Sequence, residues 1–264
     1  MGHFYDEIPN EEILQWILDQ KIFWVATAPL SKDGHVNVSP KGRPTFNLVG
    51  KNACWYTDMT GSGNETLSHL YENKRITIAF VAFEGPPRIV RFFGIGKVYE
   101  RGSSEFEALL PPGDERILPG TRAIIWMDIH KVGTSCGYSV PFFDYAGERL
   151  VLDKHFEKMM DGSEVRPNGI PNALVAYWNK KNGLSIDSMP GLRLADDLST
   201  ALVPPFKLES ASTSGGEDKH TATDVKTVSS ITRAYLYVSM ASCFILGMVA
   251  MYAFQSTSRH LVAI

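Results

Sequence analysis

Cysteine is scarce in this sequence: there are three in 264 residues, Cys54, Cys136 and Cys243, odd in number and far apart. No CxxC pair and no Cys/His spacing of a metal site occurs, so neither a disulfide framework nor a zinc module is expected. Unpaired thiols suit a reducing compartment. Excess charge of one sign is also missing. The 26 basic and 29 acidic residues leave a net charge of −3, which gives no broad electrostatic hold on nucleic acid, and none is expected as a partner. There is no P-loop, no GxSxG, no HExxH and no internal repeat. The opening MGHFYDEIPNEE is acidic and has no apolar run, so it is not a secretory leader. Gly2 is followed by His3-Phe4-Tyr5-Asp6, a poor match to a myristoylation signal.

What is present is apolar and aromatic. Hydrophobic residues make up 44% and aromatic ones 11%. That suffices for one domain of ordinary size, or two small ones, with a real core.

One stretch is longer and more apolar than a soluble core needs. Ala234–Phe254 reads AYLYVSMASCFILGMVAMYAF, without a charge. As a helix rising 1.5 Å per residue it spans roughly 30 Å, the thickness of a bilayer core. Tyr235, Tyr237 and Tyr252 lie near its ends, where aromatic belts form. The alternative is a buried core helix, but such helices rarely stay apolar all round for so long. The expectation is a single-pass, tail-anchored membrane protein with its N-terminal domain in the cytosol. Lys226 and Arg233 on the N-terminal side agree with that orientation. The sequons at Asn37 and Asn64 are then chance matches. Upstream, 195–232 is rich in Ser, Thr, Gly and charge and lacks an apolar period, which reads as a flexible, disordered linker.

The remainder alternates short strands with turns. Asn10 can cap a helix over Glu11–Asp19. IFWVATAPL, HVNVS, NACWYT, RITIAFVAF and RIVRFFGIGKVYE read as strands, with a further strand over Arg122–His130. Helices are expected over Thr66–Asn73, Glu148–Met160 and Ala173–Lys180. Such a pattern suggests an antiparallel barrel. Gly94-Ile95-Gly96 lies inside a strand and reads as a bulge or bend rather than a dinucleotide-binding turn.

Three polar clusters sit at strand ends: Asn37, Ser39, Lys41 and Arg43; the run Tyr56-Thr57-Asp58-Met59-Thr60-Gly61-Ser62-Gly63-Asn64-Glu65-Thr66; and Arg88 with Arg91. A Gly/Ser/Thr-rich loop running into a helix offers free N–H groups and a helix dipole to an anion. Lys41 with Arg88 or Arg91 could supply the countercharge of a phosphate. The competing reading is a solvated turn with surface charge. Cys136 reads as a small buried hydrophobe rather than a reactive thiol. His35, His69 and His155 stand isolated and read as structural or surface groups.

The order VATAPLSKDGHVNVSPKG, WYTDMTGSGNETLSHLYENKRITIAF, PRIVRFFGIGKV resembles the FMN-binding split-barrel family of pyridoxamine 5′-phosphate oxidase. The likeness covers Ile22–Tyr99. GTSCGYSVPFFDY and KNGLSIDSMPGL further resemble an uncharacterised fungal and plant branch. The resemblance implies a mainly antiparallel β, split β-barrel fold with flanking helices (α+β). Its parts would be a helical lead-in over 1–21, the FMN-binding barrel over 22–130 and its C-terminal extension over 131–194. The linker over 195–232, a transmembrane helix over 234–254 and a short tail over 255–264 would follow. It further implies a homodimer, an oxidoreductase acting on a small redox substrate, and FMN set against Asn37, Ser39 and Lys41, with Tyr56 and Thr57 at the flavin edge. Asp58, Ser62, Gly63, Thr66, Arg88 and Arg91 complete the expected cofactor site. The family's Ser-Arg-Lys phosphate clamp is replaced here by Gly61-Ser62-Gly63-Asn64-Glu65-Thr66. No counterpart of the Arg- and Trp-containing stretch that binds the vitamin's phosphate is found. A non-catalytic flavin- or haem-binding module and an empty-barrel scaffold remain the alternatives.

Overall fold

A computed structural model describes residues 2–196. Of the linker expected over 195–232, residues 195 and 196 belong to a short helix, Arg193–Asp196; the rest of it, the membrane helix over 234–254, the tail and Cys243 lie outside the described residues. Among the described residues no helix is long and apolar enough to cross a membrane.

Eight strands form one antiparallel sheet: β1 (His3–Tyr5), β2 (Ile22–Thr27), β3 (Asn37–Gly42), β4 (Phe46–Val49), β5 (Ala53–Met59), β6 (Arg75–Val81), β7 (Ile89–Glu100) and β8 (Thr121–Ser135). Their spatial order is β3-β2-β6-β7-β8-β5-β4, with β1 also paired to β8. β8 is long enough to hold β5 along its first half and β1 along its second, so the sheet draws a strand from the lead-in and continues past residue 130.

Interior contacts show that the sheet curls. Phe23 of β2 lies 5.2 Å from Phe46 of β4 and 5.4 Å from Tyr56 of β5, ring centre to ring centre. These strands are well separated in the sheet order, so their rings meet only across a barrel. Phe80 and Phe92 complete a buried aromatic column in which edge-to-face contacts recur. The result is an antiparallel half-barrel with a few flanking helices, split between β3 at one end of the sheet and β4–β5 at the other.

Helices cover the rest. Asn10 caps α1 (Glu11–Asp19) by accepting from the Ile13 N–H at 2.9 Å, and Ile17 is the residue it buries. α2 (Glu65–Asn73) follows the loop after β5. α3 (Ser104–Leu109) covers a second apolar cluster of Trp55, Phe106, Leu110 and Ile124 on the outer face of β5 and β8. β4 and α3 have too short an apolar period to be seen in the sequence. The expected helix from Glu148 starts three residues later, as α4 (Val151–Met160), and α5 (Asn172–Lys181) and α6 (Arg193–Asp196) close the described chain. α4 presses Phe156 onto Gly120, where a Cβ would meet that ring at 2.4 Å. The bend expected at Gly94 is present as a bulge: the pairing of β7 with β8 slips between Phe93 and Gly94.

Candidate functional site

The pleat decides which candidates meet. Asn37, Ser39 and Lys41 lie opposite Thr27, Val25 and Phe23, so they share the inner face of the sheet. Tyr56 and Asp58 face the same interior from β5, and both are fully buried. Lys41 reaches across the split and places its Nζ 2.9 Å from Asp58 Oδ1. The other carboxylate oxygen takes a hydrogen bond from Arg122 Nε at 2.8 Å. Arg122 comes from a β-bulge: Asp58 pairs with Ala123 and Met59 with Thr121, so Arg122 is the extra residue and is turned inward. Burial alone would raise the Asp58 pKa; the Arg122 and Lys41 cations reverse this and hold it at about 2.

This cluster has more donors than acceptors. Two cations share one carboxylate, and Arg122 Nη1 has no hydrogen-bond partner. The Tyr56 hydroxyl is likewise buried and unpartnered. Burial, then the Asp58 charge, push its pKa well above the ordinary phenol value, so it stays a neutral donor. Unpaired buried donors are costly and uncommon.

A second cluster lies beside the start of α2. Asn37 Nδ2 donates to Thr27 Oγ1 at 3.1 Å and to Thr66 Oγ1 at 3.0 Å. Thr27 Oγ1 is also 2.9 Å from His69 Nδ1. His69 Nε2, the other ring nitrogen, is buried without a partner. Burial lowers the His69 pKa, which keeps it neutral. Asn64, at the N-cap position, does not cap α2. Its Nδ2 is drawn to the Asn182 carbonyl at 2.5 Å, while Asn182 Nδ2 donates to the Gly61 carbonyl and Trp178 Nε1 to Thr60 Oγ1, both at 2.8 Å. The C-terminal end of α5 and the residue after it therefore hold the loop, while the α2 N-terminus has no side-chain cap. Ser62 and Gly63 are exposed in that loop.

Three candidates fall elsewhere. Arg91 belongs to the row Pro40, Trp24, Ala79, Arg91 on the outer face, and touches Ser135 at 3.5 Å. Arg88 pairs with Glu12 of α1 at 2.6 Å and lies over Trp16. Neither joins Lys41, because the period-2 pleat and the hairpin end carry them away. Thr57, next to Tyr56, points to the opposite face, and its buried hydroxyl has no partner. Cys136 is exposed just past β8, not buried, because the strand ends before it; Cys54 is the buried thiol. Arg122, Thr27 and Asn182 escaped notice in the sequence because nothing local marks them. His69 looked isolated because its partner Thr27 is 42 residues away.

The sequence comparisons fall on this region. The family model described as pyridoxamine 5′-phosphate oxidase matches residues 9–136. The pyridoxamine 5′-phosphate oxidase family protein ustO of Aspergillus flavus is 34% identical over 209 residues, covering 74% of this chain and 80% of its own length. The chain belongs to the pyridoxamine 5′-phosphate oxidase family. Among solved structures, HupZ of Group A Streptococcus is 22% identical over 47% of this chain and 90% of its own, with a TM-score of 0.38. A Clostridium acetobutylicum protein of the pyridoxinephosphate oxidase family is 15% identical over 47% and 86%, with a TM-score of 0.35. Family membership rests on the sequence matches.

Members of this family commonly bind flavin and act in redox chemistry. The residues present here fit such a ligand on the donor side. The α2 N-terminus lacks a side-chain cap, Asn37 and Thr66 adjoin it, and Tyr56 and Arg122 leave buried donors unused. Lys41 already has Asp58 as its counterion.

Proposed function

We propose that this protein is an FMN-binding oxidoreductase of the pyridoxamine 5′-phosphate oxidase type, acting as a homodimer on a small redox substrate at a membrane to which Ala234–Phe254 tethers it. The observation that carries the reading is the pair of donor-rich clusters on the inner side of the split, built from β2, β3, β5, β8 and α2. Asn37, Thr66, Ser62, Gly63 and the first N–H groups of α2 would hold the phosphate in place of a basic clamp. Ser39, Lys41 and Tyr56 would orient the ring system, with the unpartnered Arg122 Nη1 as a further donor. FMN, when bound, supplies the electron-transfer chemistry; the chain supplies orientation and local charge.

A visible spectrum of the purified full chain in detergent, with mass spectrometry of the released ligand, tests this. A yellow protein releasing FMN is the expected result. A colourless protein that takes up no added FMN overturns it. One observation favours a second reading, a non-catalytic flavin-binding module: the carboxylate of the inner cluster is bound by two cations and held ionised, so it is a poor proton donor. Bound FMN that neither reductants nor oxygen turn over would select that reading.

A further inference from the structure

The segment after α5 folds back on itself. Over 182–192 the Leu192 N–H donates to the Asn182 carbonyl and the Gly191 N–H to the Gly183 carbonyl, both at 2.8 Å, and Leu184 bridges Pro190. The Ser185 N–H donates to the Met189 carbonyl at 2.9 Å and closes the turn. This hairpin and Trp178 lie beyond residue 136, where the family model ends.

The hairpin grips both chain segments that meet at Thr66. On the loop side, Asn182 Nδ2 donates to the Gly61 carbonyl and Trp178 Nε1 to Thr60 Oγ1, and Asn64 Nδ2 donates back to the Asn182 carbonyl. All four residues, Thr60, Asn64, Trp178 and Asn182, are buried. Only glycine fits at 191, since a Cβ there would collide with the Asn64 amide and the Asn182 carbonyl. On α2, Ser68 Oγ donates to the Met189 carbonyl and Glu65 Oε1 accepts from the Ile186 N–H, both at 3.4 Å. On the β3 side, Asp187 Oδ2 accepts from the His35 N–H at 2.8 Å, and Asp187 Oδ1 lies 2.6 Å from His35 Nδ1. His35 stands two residues before Asn37, whose amide bonds Thr66. Asn182 is a costly residue for packing alone, because its Oδ1 is buried without a partner.

We propose that Trp178 and Asn182 are positioning residues for the phosphate end of the ligand, and that the hairpin rooted on them makes the site prefer a phosphorylated flavin to an unphosphorylated one. This rests on the FMN reading above. The physical reason is preorganisation. Gly61-Ser62-Gly63 holds two glycines, the residues that lose most conformational freedom on ordering. A loop fixed in advance does not incur that loss when the ligand arrives. Two groups that would repel an anion are also engaged elsewhere: the Gly61 carbonyl by Asn182 and the Glu65 carboxylate by the Ile186 N–H. The C-terminal extension thereby supplies through fixed backbone what a basic clamp supplies through charge.

Fluorescence titration of the full chain in detergent with two probes, FMN and riboflavin, tests the proposal. The wild type is expected to bind FMN more tightly than riboflavin. Asn182→Ala is expected to weaken FMN about tenfold and riboflavin by less than about twofold. Trp178→Phe keeps a buried ring and loses one hydrogen bond; it is expected to weaken FMN about fivefold, again with riboflavin nearly unchanged. Thr60→Val, which removes the acceptor of that bond, is expected to add nothing to Trp178→Phe. Asn182→Ala decides the matter where it still unfolds cooperatively; where it does not, Trp178→Phe decides. Equal weakening of the two flavins, or no weakening of either, overturns the positioning role and leaves the FMN reading standing. So does a wild type that binds riboflavin as tightly as FMN. A wild type that binds neither flavin overturns both.

Discussion

The two ends of the barrel interior are held together by different means. At one end Phe23, Phe46, Phe80 and Phe92 interlock and leave nothing unsatisfied. At the other, Lys41, Asp58 and Arg122 form a buried ionic latch across the split, and Tyr56 sits between the two, its ring in the aromatic column and its hydroxyl unpartnered. Aromatic packing stabilises without offering chemistry. Buried charge is a weaker source of net stability, because desolvation offsets most of the Coulombic gain. What the polar end gains is a set of oriented donors, which a ligand can use and a phenylalanine cluster cannot.

The sharpest way to break this contrast is Asp58→Asn. It leaves two cations facing a neutral group in the interior and is expected to cost about 3–5 kcal/mol in chemical denaturation. A loss under 1 kcal/mol would mean that the latch is solvated and the two ends do not differ. A smaller effect should appear on acidification. The folded pKa of Asp58 is depressed, so its contribution is complete above the unfolded value of about 3.9 and is lost as pH falls toward 2, by roughly 2 kcal/mol. Stability of the wild type should fall through that window more steeply than that of the Asp58→Asn variant; parallel curves would contradict the assignment. The smallest expected effect is Tyr56→Phe. Its hydroxyl bonds to nothing in the protein, so stability should change by less than about 0.5 kcal/mol. Flavin affinity should nonetheless drop about tenfold if that donor serves the cofactor. Equal affinity would detach Tyr56 from the site.

Much of this was legible from local pattern. Alternation marked β2, β6 and β7, Asn10 marked the start of α1, and Gly94 marked a bend, because each signal lies within a few residues of what it specifies. The family could be read from the order of the strand motifs. The site could be read only in part. Asn37, Ser39 and Lys41 alternate along one strand, so their common face follows from sequence. That Arg91 faces away from them depends on how β7 registers against its neighbours, which no local pattern states.

By itself, then, the sequence determined most of the longer strands and helices, the family and the inward row of β3. Periodicity and capping are short-range physics that a linear chain carries intact. Tertiary structure alone decided the site's partners. Lys41 meets Asp58 across 17 residues of chain, and Arg122 meets it across 64, through a bulge that turns one side chain inward. Likewise Asn64 leaves its helix because Asn182, 118 residues further on, is packed against it. Such pairings are set by sheet closure and register, which depend on the whole chain at once.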